Sequence, residues 1–133
     1  MRTWQEFAAQ WHEDILSVRP VFEALARDLA ARPDVTLALV ERPGVSFSLR
    51  ATRAGQSLRP LFALVDVVDE DPARRWLSVC FYADCVTDPN EMGELIPLGL
   101  LGEDGHCFNL EGPDDAILAA ALEAVSEAYD KAS

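Results

Sequence analysis

Cys80, Cys85, His106 and Cys107 carry the chemistry of a soft-metal site, because thiolate and imidazole are the ligands that zinc selects. Their spacing does not assemble one. In a continuous strand Cys80 and Cys85 point to opposite faces, as do the adjacent His106 and Cys107, so at most two of the four converge without a bulge. A buried cysteine otherwise behaves as a small hydrophobe. A nucleophilic pair of His106 with Cys80 or Cys85 would require their strands to meet. All three thiols also lie in acid-rich sequence, where negative potential raises a thiol pKa and suppresses the thiolate. His12 falls on a polar helical flank and reads as a solvated residue.

The segment Asp88-Pro-Asn90-Glu91-Met92-Gly93 starts like a calcium loop, with oxygen ligands at the first and third places and glycine at the sixth. Met92 at the fifth place and Gly99 at the twelfth then break the pattern, and strands rather than helices flank it. No metal site or cofactor is assigned; Asp88, Asn90 and Cys107 are the positions from which weak divalent binding would arise. Trp76, Ser78, Cys80, Tyr82 and Asp84 share one face of a predicted strand. With His106 opposite, Trp76, Cys80, Tyr82, Asp84 and His106 form the candidate ligand-binding set. The alternative, usual for aromatic residues at strand spacing, places this face beneath a helix with the Tyr82 hydroxyl satisfied by Asp84. No residue is assigned a catalytic role. Gly99, Gly102 and Gly105 do not have phosphate-loop spacing, Asp114-Asp115 suit helix capping, and the other carboxylates suit solvated turns.

The elements that must position these residues follow from periodicity. Thr3 and Glu6 form a capping box, and Trp4, Phe7, Ala8, Trp11 and Ile15 predict a helix over about residues 3–17. Pro20 opens a second helix along Val18, Phe22, Leu25 and Leu29, and Arg32-Pro33 ends it. Val35–Val40 and Val45–Thr52 read as a hairpin about Glu41–Gly44, the second strand having one wet face. Leu61–Val68 and Trp76–Val86 read as central strands. Leu95–Leu101, weakened by Pro97 and Gly99, reads as an edge strand paired through Gly102–Gly105 with His106–Leu110. Pro113-Asp114-Asp115 opens a last helix whose apolar face calls for a sheet or a second subunit. No helical crossover separates the strands. The expectation is therefore a single α+β domain, residues 1–133: two N-terminal helices, an antiparallel, meander-like sheet of about five to six strands and a C-terminal helix packed on it.

The chain has 133 residues and a net charge of −12. Residues 1–75 hold ten arginines against eleven carboxylates, whereas residues 76–133 hold one lysine against twelve. The acidic half disfavours nucleic acid and anionic lipid and favours basic or apolar protein surfaces. No run approaches the ~18 apolar residues of a membrane span, the N-terminus has mixed polarity, and three cysteines are an odd number. These features predict a cytoplasmic protein with reduced thiols. The functional expectation is a non-enzymatic protein–protein interaction module of adaptor, chaperone-like or inhibitor-like type, homodimeric. The alternatives are a small-molecule-binding or enzymatic domain using a sheet-face pocket, and a metal-dependent regulatory domain.

Overall fold

The computed structural model describes residues 2–133. Helices α1 (Trp4–Ala9) and α2 (Arg19–Ala31) precede strands β1 (Val35–Arg42), β2 (Ser46–Arg53), β3 (Ala63–Val68), β4 (Trp76–Tyr82), β5 (Glu94–Leu100) and β6 (Glu103–Leu110); helix α3 (Asp115–Lys131) follows. All strands pair antiparallel in one sheet of order β1-β2-β3-β4-β6-β5. This is the α+β layer arrangement that the sequence predicts. The meander holds through β4, but β6 rather than β5 lies beside β4. Pro97 cannot donate to a ladder, and a register shift interrupts β5 between Ile96 and Leu100, so β5 takes the edge.

Strand alternation builds the core. Phe47, Val67, Leu77 and Leu110 align across four strands, as do Leu49, Val65, Val79 and Phe108, giving one continuous apolar layer. Phe22, Leu25, Ala26 and Leu29 of α2 and Ala121, Ala124, Val125 and Ala128 of α3 cover it. Three alanines on the buried side of α3 let it sit close to the sheet. The sheet and α2 together cover this helix within one chain, so its apolar width does not demand a second subunit. The opposite sheet face carries no helix, and a smaller cluster of Leu61, Leu64, Cys80, Tyr82, Leu100 and Cys107 packs there.

Several sequence expectations are corrected. The first helix has only six residues rather than spanning 3–17. The chain leaves it at Gln10 because Asp14 is used elsewhere: its carboxylate accepts from Val18 N at 3.0 Å and Arg19 N at 2.9 Å, supplying the α2 cap that Val18 cannot. Ile15 is consequently exposed. The supposed wet face of β2 is also dry at Ser46 and Ser48, and the Ser48 hydroxyl donates to Asp66 on β3. In the turn after β3, Asp69 is buried rather than solvated, accepting from Gly44 N and pairing with Arg75 at 2.7 Å. The Arg75 guanidinium lies 5.1–5.4 Å from the Phe7, Trp11 and Phe47 ring centroids, which ties α1 to the sheet end. Strand β4 stops at Tyr82 and a single 3₁₀ turn, Ala83–Cys85, replaces the predicted extension to Val86. Finally, the thiols are not all reduced: Cys80 and Cys107 face each other directly across β4 and β6, with Cα atoms 4.2 Å apart, and form a disulfide. Cys85 stays free.

Two stability predictions follow from these local causes. Asp14→Ala should cost about 1–2 kcal/mol in urea denaturation, the usual loss for a helix cap. Thiol titration of the unfolded, unreduced chain should count one thiol, and three after reduction. Because the disulfide closes a sequence separation of 27 residues, reduction should lower stability by about 3.5 kcal/mol.

Candidate functional site

Trp76, Cys80 and Tyr82 do share a face of β4, but they do not converge. Trp76 and Tyr82 stand at opposite ends of the strand, about 20 Å apart at the usual rise per residue. His106 pairs with Phe81 and therefore points to the helix-covered side, away from Cys80 and Tyr82, with its ring against Phe108 at 5.4 Å. Cys80 and Cys107 use each other's sulfur, which removes both as thiolate ligands and as nucleophiles. Among the described residues no group of three or more His, Cys, Asp or Glu side chains is placed to hold a metal.

The Asp88 segment closes on itself. Asp88 is nearly buried, and its carboxylate accepts from Met92 N at 3.0 Å, Gly93 N at 2.8 Å and His106 Nε2 at 2.7 Å. A carboxylate only accepts, so the His106 proton sits on Nε2. Burial alone would raise the Asp88 pKa, but the bonds from Gly93, His106 and Met92 outweigh it and hold the group below its ordinary value. A β-carbon at Gly93 would lie 2.8 Å from the Cys107 carbonyl oxygen and 3.0 Å from His106 Nε2. Close approach of loop to strand, rather than calcium geometry, accounts for this glycine, and Asn90 is exposed at the loop tip.

The built polar site lies around Arg59, in the connection between β2 and β3. Its guanidinium donates to both Asp84 oxygens at 2.8 and 2.9 Å and to both Glu103 oxygens at 2.9 and 3.2 Å. It also covers the Tyr82 ring at 4.1 Å. Hydrogen bonds to Asp84 and then Glu103 raise the Arg59 pKa, and the bond from Arg59 lowers that of Asp84. Both carboxylates are well exposed, so each ion pair contributes only ~0.2–1 kcal/mol; the clamp orients more than it stabilises. Asp84 is thereby engaged and does not satisfy Tyr82. Nor does a helix cover Tyr82: it belongs to the small cluster on the other face, 2 % exposed, and its hydroxyl has no partner. A buried hydroxyl left unpaired costs about 1–3 kcal/mol. Burial, then Glu103, raises the Tyr82 pKa; burial, then the bond to Asp84, raises that of Cys85. Next to this group opens a cavity of about 320 Å³ lined by Leu58, Leu61, Phe62 and Cys85, by the Arg59 cluster and by the end of α3. A larger, shallower groove of about 660 Å³ lies where α3 starts, but the Asp114 carboxylate there caps Ile117 N at 3.0 Å.

Two other surfaces stand out. On the helix-free face Ser48, Asp66, Ser78 and Asn109 align in one row across β2, β3, β4 and β6, and burial raises the Asp66 pKa despite Ser48, Arg42 and Arg50. At the sheet edge, six of the seven β5 residues are exposed. Comparison with protein-family models, characterised proteins and solved structures finds no match to this chain. Fold and site together define a class: an antiparallel sheet backed by helices on one face, with an exposed apolar edge at β5 and a polar cluster at the β4–β6 end. Among the described residues no helix is long and apolar enough to cross a membrane.

A group whose folded pKa is lowered contributes stability above its unfolded pKa and loses it as pH falls through the folded value. Asp88→Asn should therefore destabilise the protein at about pH 7. Urea titrations should show wild type and variant drawing together as pH falls below about 4, the ordinary aspartate value, and the wild-type carboxyl protonates.

Proposed function

We propose that the protein is a non-enzymatic interaction module that grips an apolar segment with basic flanks at its β5 edge. The observation that carries this reading is the exposure of Leu95 (56 %), Ile96 (38 %), Leu98 (71 %) and Leu101 (53 %) on one short stretch. Leu95 aligns with His106 and Ile96 with Gly105, so apolar side chains leave the edge on both sides of the sheet. Such a strip on a free edge is a docking surface or a liability.

The backbone argues for gripping by side chains rather than by strand addition. Pro97 has no N–H to offer, Leu98 N donates at 3.0 Å to its own chain's Asp104, and the register shift breaks the ladder. Charge selects the occupant. Glu91, Glu94, Glu103 and Asp104 border the strip, and among the described residues only Glu103 of these has a basic partner, Arg59. A second copy would set these carboxylates against their own equivalents. A leucine-rich segment flanked by Lys or Arg meets both the apolar and the acidic part.

Leu98 and Leu101 have positive φ, 55° and 50°, where asparagine is better tolerated than leucine. Leu98→Asn and Leu101→Asn should therefore leave folding intact while removing the grip. Fluorescence anisotropy would compare two labelled peptides of one leucine pattern, with lysine or glutamate at the polar positions. The lysine peptide should bind at least tenfold tighter, weaken with salt, and lose at least tenfold affinity for either variant. Equal binding of both peptides, unchanged binding by the variants, or a stable homodimer by sedimentation equilibrium would sink the proposal.

A further inference from the structure

We infer that the groove between the end of β6 and the start of α3 binds a short, extended segment of another polypeptide that carries lysine or arginine and adds as a strand to Asn109. The inference does not rest on the β5 edge. It starts from the direction of main-chain groups. In an antiparallel ladder alternate residues turn both N–H and C=O to one neighbouring strand, and the residues between turn theirs to the other. Just outside β1 and β2, Asp34 O accepts from Ala54 N at 2.7 Å, and just outside β2 and β3, Val45 O accepts from Asp69 N at 2.9 Å. These two bonds fix the alternation. Carried through the unbroken registers of β3, β4 and β6, it turns the main chain of His106, Phe108 and Leu110 toward β4 and that of Gly105, Cys107 and Asn109 toward β5. Strand β5 reaches only to Cys107, opposite Glu94. Asn109 lies beyond that end and is exposed, and its N–H and C=O have no partner among the described residues.

The groove is shaped and charged for such a strand. It has a volume of about 660 Å³ and is lined by Asn109, Glu111, Gly112, Pro113, Asp114 and Ile117. A residue placed opposite Asn109 exchanges both main-chain hydrogen bonds with it, and the next residue of the added strand turns its side chain to the face that α3 covers. There a lysine or arginine lays its methylenes on half-buried Ile117 and carries its charge to the carboxylates. Glu111 and Asp114 are the charged groups of the lining, and among the described residues neither pairs with a cation. Asp114 also occupies the Ile117 N–H, which closes this helix end to an anion. Main chain thus selects an extended segment, and charge selects a basic one.

The probes are two acetylated, amidated heptapeptides in which threonine alternates with lysine or with glutamate. In ¹H–¹⁵N NMR titrations the lysine peptide should shift amides of residues 109–112 and 114–117, with the Asn109 N–H moving downfield as it enters a hydrogen bond. The glutamate peptide should leave them in place. Exchange of the Asn109 amide should be fast in the free protein and about tenfold slower with saturating lysine peptide. Asn109→Pro removes an N–H that points outward, so the chain should fold and lose about tenfold in affinity, the worth of one hydrogen bond. Glu111→Gln should fold and bind about threefold more weakly, with a shallower salt dependence. Shifts that spread over the acidic surface and omit these residues would overturn the inference, as would equal binding of both peptides or unchanged affinity in Asn109→Pro. An Asn109 amide already protected in the free protein would overturn it as well, and that measurement decides the matter even if the proline variant fails to fold.

Discussion

The register in which β4 meets β6 is the constraint on which the rest of the molecule depends. Val79 opposite Phe108 and Leu77 opposite Leu110 complete the apolar layer under α2 and α3. A slip of β6 by one residue would turn Phe108 and Leu110 out of that layer, because side chains alternate between faces. The same register sets Cys80 against Cys107 on the helix-free side and His106 beside Phe81 on the covered side. It also leaves β5, with its proline and its bulge, no place but the edge. The disulfide, the isolation of the imidazole and the exposed leucines are thus consequences of one alignment.

Charge is distributed by the fold as well as by the sequence. Arg2 pairs with Glu41, Arg19 and Arg27 with Glu23, Arg32 with Asp28 and Arg75 with Asp69, all within the first 75 residues. Among the ion pairs of the described residues, those of Arg59 alone join an arginine to the acidic half. Most of the twelve carboxylates beyond Trp76 therefore keep their full field. Arg75 differs from the surface arginines. Held by buried Asp69 and surrounded by Phe7, Trp11 and Phe47, it fixes the short α1 where helix propensity alone would not, since an isolated helix of this length is marginal in water.

The β5 edge and the Tyr82 cavity present two different physical opportunities a short distance apart along the β6 hairpin. The edge is exposed, has an acidic border, and offers side chains with an interrupted backbone ladder. The cavity is small and lined by apolar groups together with Arg59, Asp84, Glu103 and Lys131. Arg59 touches both, binding Glu103 at the start of β6 and covering the Tyr82 ring.

Local pattern was sufficient for the elements and their class. Alternation along Phe47–Ala51, the Pro97 and Gly99 defects of β5, the Asp114 cap and the Arg32-Pro33 stop are properties of neighbouring residues, and the physics that reads them acts over a few bonds. Composition likewise determined the acidic field of residues 76–133. Tertiary structure alone decided which of these features meet. Asp14 ends the first helix early by bonding amides of the second, and Asp69 is buried because Arg75 and Gly44 reach it from other segments. Cys80 finds Cys107 through the β4–β6 register, and Asp84 turns from Tyr82 to Arg59 because β4 ends one residue after Phe81. An arginine in a loop carries no sequence period to mark it. Its role exists only where residues 59, 82, 84 and 103 are brought together, and that juxtaposition is a property of long-range packing, not of spacing along the chain.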